Sequence, residues 1–456
     1  MTRMRRKVIV VGGTAAGTSA AAAIARLSDD HDILLLEQGK YIAVGTCSLP
    51  EYIKGTIEDH QALIHHDGTS FQEKYGVIVR TSNQVTKITP LRRTITVHDL
   101  SQNVHYDEHY DFLILATGAR PYRLNIPGCK SDNIFSLKSL ESAIQLRSYI
   151  RQYEPRRALI VGAGTIGIIM AEAFQQMGMS VVLVEKTNQI LNHLDLEIAE
   201  RIRGYIPTQS IQIYQDSQIN EYLSDASHCT GCRLEHMAEP IATDLVLETI
   251  GVEPTIDLAR QAGLQVGNTG AIHVDQTMKT SQFNIYAAGD GIELTNLVTG
   301  KPGYYPRGSN ANKSGRTAGE NIAGRHTRFK GVLGTTLVQC FNLQIGMTGI
   351  TEKEANRLDY HPLSIEITAL SRVKGYPRAA PMFLKLIFSR NGRILGGQFF
   401  GTDGIKGATQ TLALAIQHKA SLSDLAYCDF GYHPSLSPAW DPLNIAARAG
   451  LRRLRS

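Results

Sequence analysis

One tryptophan in 456 residues, and six cysteines with no framework spacing, set the first limits on this chain. Six thiols in so long a sequence do not staple a small secreted domain, so free thiols in a reducing cytosol are expected. An excess of charge is also missing. The 47 basic and 42 acidic residues leave a formal +5, too little to expect a nucleic acid partner. The basic residues near the ends (Arg3, Arg5, Arg6, Lys7, Arg452, Arg453 and Arg455) read as solvated tails. No apolar stretch reaches the roughly 18 residues of a membrane-crossing helix, so no membrane partner is expected. Val8–Val11 runs straight into Gly12-Gly13, which makes it a first β-strand rather than the core of a signal peptide. Low-complexity linkers and repeats at periods of about 20–50 residues are absent too.

What is present is ordinary globular composition, 43% hydrophobic and 20% charged, over a length that suits about three domains. Strand and helix patterns alternate. Lys7–Val11 is a β-branched run, Gly12–Gly17 a glycine-rich turn, Ser19–Leu27 an alanine-rich helix, and Asp32–Leu36 a buried strand ending at Glu37. Arg157–Val161, Gly162–Gly167, Ile168–Met177 and Ser180–Val184 repeat that plan and end at Glu185. The two βαβ units imply two nucleotide domains. A later strand, Ser281–Ala288, leads into Gly289-Asp290. Beyond Gly331, Thr335–Phe341, Ser364–Leu370 and Met382–Phe388 read as antiparallel strands, with Gly404–Ile416 and Pro442–Ala449 helical.

The first turn, Gly12-Gly13-Thr14-Ala15-Ala16-Gly17, follows a strand and opens a helix. Glycine lets the backbone turn sharply and approach a pyrophosphate, and the helix start offers free N–H groups. Thr14 stands where the usual pattern has its middle glycine. Glu37, 20 residues after Gly17, is placed for ribose hydroxyls. Ala116-Thr117-Gly118 and Ala288-Gly289-Asp290 each end an apolar strand, where open α/β sheets bind ligands, and the Asp290 carboxylate suits a ribityl hydroxyl. The second turn, from Gly162 through Gly164 to Gly167, is a complete G-x-G-x-x-G, with Glu185 18 residues after Gly167. A carboxylate there binds ribose hydroxyls and repels a 2′-phosphate, favouring NADH over NADPH; Lys186 beside it weakens that preference and keeps NADPH possible.

In this order the motifs resemble the pyridine nucleotide–disulfide oxidoreductase superfamily over nearly the whole chain. Tyr41-Ile42-Ala43-Val44-Gly45-Thr46-Cys47-Ser48-Leu49-Pro50 carries one cysteine where glutathione reductase relatives carry two. It resembles the single-cysteine branch of coenzyme A-disulfide reductases, NADH oxidases, NADH peroxidases and persulfide reductases. Ala311–Arg316 and Leu333–Thr335 resemble that branch as well. The resemblance implies an α/β architecture of two Rossmann-like domains, for FAD and for NAD(P)H, with a C-terminal α+β dimerisation domain. Residues 1–150 and 271–330 would form the FAD domain, 151–270 the NAD(P)H domain, and 331–456 the dimerisation domain. The cofactor set would comprise Gly12, Thr14, Ala15, Gly17, Glu37, Thr46, Thr117, Gly118 and Asp290 for FAD, and Gly162, Gly164, Gly167, Glu185 and Gly251 for the nicotinamide cofactor.

Gly375-Tyr376-Pro377 and Tyr432-His433-Pro434 resemble the places where coenzyme A-disulfide reductases carry tyrosines that reach the partner's flavin site. Arg26 matches an arginine that touches coenzyme A phosphates. The resemblance therefore implies a homodimer in which NADH reduces FAD and electrons pass through Cys47 to a disulfide, a persulfide or a coenzyme A-type thiol, with Tyr376 or Tyr432 as acid. An oxidase or peroxidase with a Cys47 sulfenic acid, and a flavin-bound redox sensor, are the alternatives. The sulfurtransferase domain that some relatives append is not expected. The chain departs from the pattern at Ser48 (glycine or alanine) and Glu51 (tyrosine). It departs again at Thr165, where a tyrosine covers the flavin, and at Ile169, where a glutamate lies near the nicotinamide.

Bland readings stand beside these. Cys47 would otherwise be a packed thiol, and Tyr376 and Tyr432 aromatic packing at an interface. His228-Cys229-Thr230-Gly231-Cys232, with His236 beyond, has spacing that suits zinc or a dithiol, yet reads as a surface hairpin. Cys129, Cys340 and Cys428 have no partner pattern, and Lys54, Lys74, His65 and His66 read as solvated.

Overall fold

A computed structural model describes residues 5–455; Arg3 lies outside them. Val8–Val11 is buried on both faces, which requires neighbours on either side and cover above and below. The strand Arg6–Val11 accordingly pairs in parallel with His31–Leu36 and with Phe112–Leu115. Ile285–Ala287 and Ile78–Arg80 extend the sheet to five strands. The helix Ala15–Leu27 covers one face through alanines, and the helix Gly308–Ile322 lies against it. Close approach there rests on glycine: a β-carbon at Gly315 would fall 2.1 Å from Ala16 O, and one at Gly319 2.4 Å from Ala20 O.

The second sheet repeats the first. Arg157–Val161 sits between Ser180–Val184 and Leu245–Glu248, with Ile211–Tyr214 and Ile134–Ser136 outside them, all parallel. Ile134–Ser136 belongs to this second sheet, and Leu140, Leu146 and Ile150 pack in its core, so residues 134–150 leave the first domain, contrary to the boundary expected at 150. Ile256, Ala259 and Leu264 pack in the first core, so the return precedes residue 271. The chain crosses between the domains on a two-stranded antiparallel ribbon, Ala119–Pro121 with Val252–Pro254, where Arg120 pairs with Glu253 and Asp257 at 2.7 Å.

The C-terminal sheet is antiparallel, in the order Thr336–Cys340, Leu343–Gly349, Ile394–Gly401, Pro381–Phe388, Leu363–Leu370, and is packed by the helices Ile405–Gln417 and Pro442–Arg455. Two of its strands escaped the sequence pattern because glycines interrupt them. Those glycines admit the helix: a β-carbon at Gly346 would fall 1.9 Å from Thr409 Oγ1, and one at Gly397 2.4 Å from a Leu412 methyl. The strand expected over 281–288 shortens to Ile285–Ala287, because Met278 and Asn284 turn through positive φ.

The seam between the two helices yields a test. Gly315→Ala should lower stability by about 1–3 kcal/mol, the usual cost of overpacking, and reduce retained flavin. Thermal unfolding and the bound-flavin absorbance read it, and an unchanged Tm would contradict the packing.

Candidate functional site

Each glycine turn is closed by the acid at the end of the second strand. Glu37 Oε2 accepts from Gly13 N at 2.6 Å and its Oε1 from Gly39 N at 2.7 Å. Glu185 Oε2 accepts from Ala163 N at 2.8 Å and its Oε1 from Thr187 N at 2.9 Å. Burial raises the Glu37 pKa, and the amides of Gly39 and Gly13 oppose that shift. The chain then returns to each turn by a second bond: Ala43 N donates to Gly13 O and Leu191 N to Ala163 O, from residues at φ 50° and 49°. Gly12 and Gly162 turn through φ 107° and 99°, beneath the carbonyls of Ala116 and Thr249.

Thr14 occupies the place of Gly164. It caps its helix at φ −93°, an ordinary conformation, as Gly164 does at −74°, so the motif tolerates a side chain there. The first-turn amides of both helices face outward, as helix geometry demands. They give the two turns the donor set that a pyrophosphate needs.

The first turn fits FAD. Ala15, Ala16, Ala116, Ala288 and Ala311 form an apolar floor of small side chains beside it. Thr117 Oγ1 donates to Thr255 O, and Gly118 has φ 68°. Gly251, the matching residue of the second domain, has φ 106° and accepts from Tyr122 N. Asp290, in the short turn Gly289–Gly291, pairs with Lys138 Nζ at 2.7 Å. The Tyr304 hydroxyl is buried without a hydrogen-bond partner, and burial and then Asp290 raise its pKa. A buried orphan donor beside a carboxylate is what a polyhydroxyl ligand would satisfy.

Cys47 sits with Thr46 in the short turn Thr46–Ser48, ahead of the helix Leu49–Lys54. The segment is pinned to the first glycine turn by Ala43 N–Gly13 O and braced by Gly45 N–Leu63 O and His65 N–Ala43 O. The thiol is exposed. Gly308, the first residue of the helix Gly308–Ile322, is its neighbour, since a β-carbon there would lie 3.7 Å from Sγ. Arg307, next to it, has a buried Nη1 without a partner and faces His193. Burial first, and that guanidinium second, push the His193 imidazole down to about 4, so it is neutral.

Tyr376 and Tyr432 lie on adjoining loops: Val373 N donates to Pro434 O and Arg372 Nη1 to Ser435 O. They are 42% and 56% exposed, and no hydrogen bond joins either phenol to Cys47 among the described residues. Arg26, in the last turn of the first helix, donates to Tyr75 OH at 2.8 Å and stacks over its ring at 4.9 Å. Arg26 stands 11 residues beyond Ala15 at the start of the helix, roughly 16 Å along its axis. Thr165 and Ile169 are partly buried on the helix Thr165–Gln176.

The hairpin expected at 228–234 forms, antiparallel with Ile219–Asp225, and turns one face inward. Cys229 and Cys232 are buried, 2% and 0% exposed, in an apolar cluster with Tyr222 and Leu159. Burial raises both thiols, Cys232 to about 12, which disfavours the thiolate that zinc or redox work requires. Cys340 is likewise buried and pushed up to about 12. Lys54 pairs with Glu51, and Lys74 lies over Tyr75. Sequence reasoning missed Lys138, Tyr304 and Gly308. Lys138 is brought in by a contact 152 residues long in sequence, Gly308 by its missing side chain and Tyr304 by the burial of an unpartnered hydroxyl, and only the nearby Gly289-Asp290 hinted at them.

Residues 6–315 match the family described as pyridine nucleotide-disulphide oxidoreductase, and residues 336–443 its dimerisation domain. The chain is 31% identical over 454 residues to an NADH oxidase from Methanocaldococcus jannaschii, covering 98% of this chain and 99% of that one. It is 30% identical to an NAD(P)H coenzyme A polysulfide/persulfide reductase from Pyrococcus horikoshii, covering 98% of each. A crystal structure of reduced CoADR-RHD from Bacillus anthracis superposes with a TM-score of 0.96 at 33% identity, over 99% of this chain and 81% of that one. No helix among the described residues is long and apolar enough to cross a membrane.

The buried thiols give a direct check. At pH 8 a disulfide reagent should leave Cys229, Cys232 and Cys340 unlabelled in the native protein, and label them only in denaturant. Fast native labelling of Cys229 or Cys232, identified by mass spectrometry, would contradict their placement.

Proposed function

The chain belongs to the pyridine nucleotide-disulphide oxidoreductase family, and from that premise we propose that it reduces a small disulfide or persulfide, coenzyme A disulfide foremost, as a cytoplasmic homodimer with Cys47 as its one redox thiol. The observation that carries the reading is the tether of the Cys47 segment to the FAD turn through Ala43 N and Gly13 O, in a segment without a second cysteine. Gly12–Gly17, Glu37, Thr46, Thr117, Gly118 and Asp290 would hold FAD, which would supply the two-electron relay between NAD(P)H and sulfur.

Cys47 as thiolate attacks one sulfur of the substrate. The Cys47–substrate disulfide forms as the substrate S–S bond breaks and the first thiolate leaves. The two electrons from NADH then split that mixed disulfide, which restores the Cys47 thiolate and frees the second thiol. Tyr376 or Tyr432 of the partner subunit donates the proton to the leaving thiolate. The exposure of both phenols on one edge supports their presentation to a second copy. Arg26 takes the phosphates, and its separation from the glycine turn calls for an extended ligand, as a coenzyme A arm is. Gly162, Gly164, Gly167, Gly251 and Glu185 hold the nicotinamide cofactor. Glu185 is buried while Lys186 is exposed, which supports NADH over NADPH.

A second reading, an NADH oxidase or peroxidase, draws on the open thiol: an exposed Cys47 can equally cycle through sulfenic acid. A redox sensor draws on Thr165 and Ile169, which stand in place of the flavin-covering tyrosine and the nicotinamide-side glutamate.

Two variants test the assignment. Cys47→Ser should keep FAD yet lose coenzyme A disulfide and persulfide turnover by roughly a thousandfold or more; turnover at the wild-type rate would overturn the thiol mechanism. Comparing oxygen, peroxide and disulfides as acceptors of the wild type decides between the first two readings. In kcat/KM, NADH should exceed NADPH by about tenfold, and Glu185→Ala should narrow that ratio. Equal values in the wild type would remove Glu185 as the selector.

A further inference from the structure

The loop from Glu185 to Asp195 is tied at both ends. At its start, Glu185 closes the second glycine turn, Asn192 Nδ2 reaches Glu185 Oε1 at 3.5 Å, and Leu191 N holds Ala163 O. Gln189 Nε2 braces the middle by donating to Leu194 O at 2.8 Å. At its end, Asp195 is 3% exposed and engages the C-terminal domain. It lies 2.9 Å from Lys385 Nζ, accepts from the backbone N–H groups of Glu352 and Lys353 at 3.1 Å, and exchanges two hydrogen bonds with the Gln398 amide.

Lys385, 2% exposed on the strand Pro381–Phe388, also pairs with Glu352 at 2.7 Å and with Glu197. The three carboxylates converge within 4.8 Å on a cleft of about 300 Å³. The arrangement resembles a cation site, and the ammonium of Lys385 already fills the cation's place. A charge so deeply buried persists only when paired and hydrogen-bonded, so the contact is specific to one relative placement of loop and sheet.

We propose that Lys385 is a positioning residue for NADH: through Asp195 it fixes the 185–195 loop, and with it the glycine turn and the ribose acid, so that the C-terminal sheet sets the affinity of a site on another domain. The inference rests on the assignment of Gly162–Gly167 and Glu185 to NADH. Coupling of this kind passes through packed elements and hydrogen bonds that share one arrangement.

The test is anaerobic stopped-flow reduction of the holoenzyme's flavin over a range of NADH concentrations. Lys385→Met and Asp195→Asn should raise the half-saturating NADH concentration roughly tenfold, with a smaller change in the limiting rate and an unaltered flavin spectrum. Lys385→Arg should recover most of the loss. Glu366→Gln, which removes the Arg201–Glu366 pair across the same two domains without touching the loop, should leave the value unchanged. Half-saturation within about twofold of wild type in both Asp195→Asn and Lys385→Met overturns the proposal, as does an equal shift in Glu366→Gln. If Lys385→Met does not fold, Asp195→Asn with Lys385→Arg decides. A wild type that NADH does not reduce overturns the nucleotide assignment, and the proposal with it.

Discussion

A carboxylate reaching back to a glycine turn is the contact on which this molecule is built. Glu37 accepts from Gly13 N and Glu185 from Ala163 N, so each acid fixes the glycine turn that opens the following helix. The backbone then returns to the same turn in both domains, at Ala43 and at Leu191. The paired positive φ values of 50° and 49° are costs that only a required geometry sustains. From that point the two loops diverge in use. Ten residues after Glu37 stands Cys47; ten residues after Glu185 stands Asp195. One copy of the motif carries an exposed thiol tied to the first glycine turn, and the other fastens the second Rossmann-like domain to the C-terminal sheet.

The division of labour follows from burial. Cys47 is exposed, whereas Cys229, Cys232 and Cys340 are buried, and desolvation keeps buried thiols protonated. Of these four, only the first is free to meet an incoming disulfide. The tyrosine-bearing loops are likewise open, beside Leu436 at 73% and Trp440 at 47% exposure, in the region matched to a dimerisation domain.

Most of the fold was legible in the sequence, because parallel strands buried on both faces read as continuous apolar runs and glycine turns punctuate them. Arg6–Val11, Ser180–Val184 and the two turns needed nothing else. The glycine-bearing strands Leu343–Gly349 and Ile394–Gly401 were illegible, since their glycines serve a helix that meets them only after folding. Domain boundaries shifted for a related reason: Ile134–Ser136 looks like any short strand until its parallel pairing with Leu245–Glu248 assigns it. At the site, Glu37 and Glu185 stood out by their spacing from the glycine turns, and Cys47 by the resemblance of its segment to the single-cysteine branch. Lys138 and Lys385 did not, because Asp290, Asp195 and Glu197 lie far from them in sequence, and Tyr304 did not, because only its burial sets it apart. The cysteine pair at 229 and 232 has metal-like spacing, yet it lies in a hairpin, as expected, and in an apolar cluster.

On the proposed mechanism, a single thiol stands between flavin and acceptor. The direct measurement is anaerobic titration of the oxidised enzyme with NADH, counting equivalents to full flavin reduction and comparing wild type with Cys47→Ser. About two NADH per flavin are expected when Cys47 begins as a mixed disulfide or sulfenic acid, and about one in the variant. One equivalent in both, from a wild type shown by mass spectrometry to start with oxidised Cys47, would contradict that mechanism.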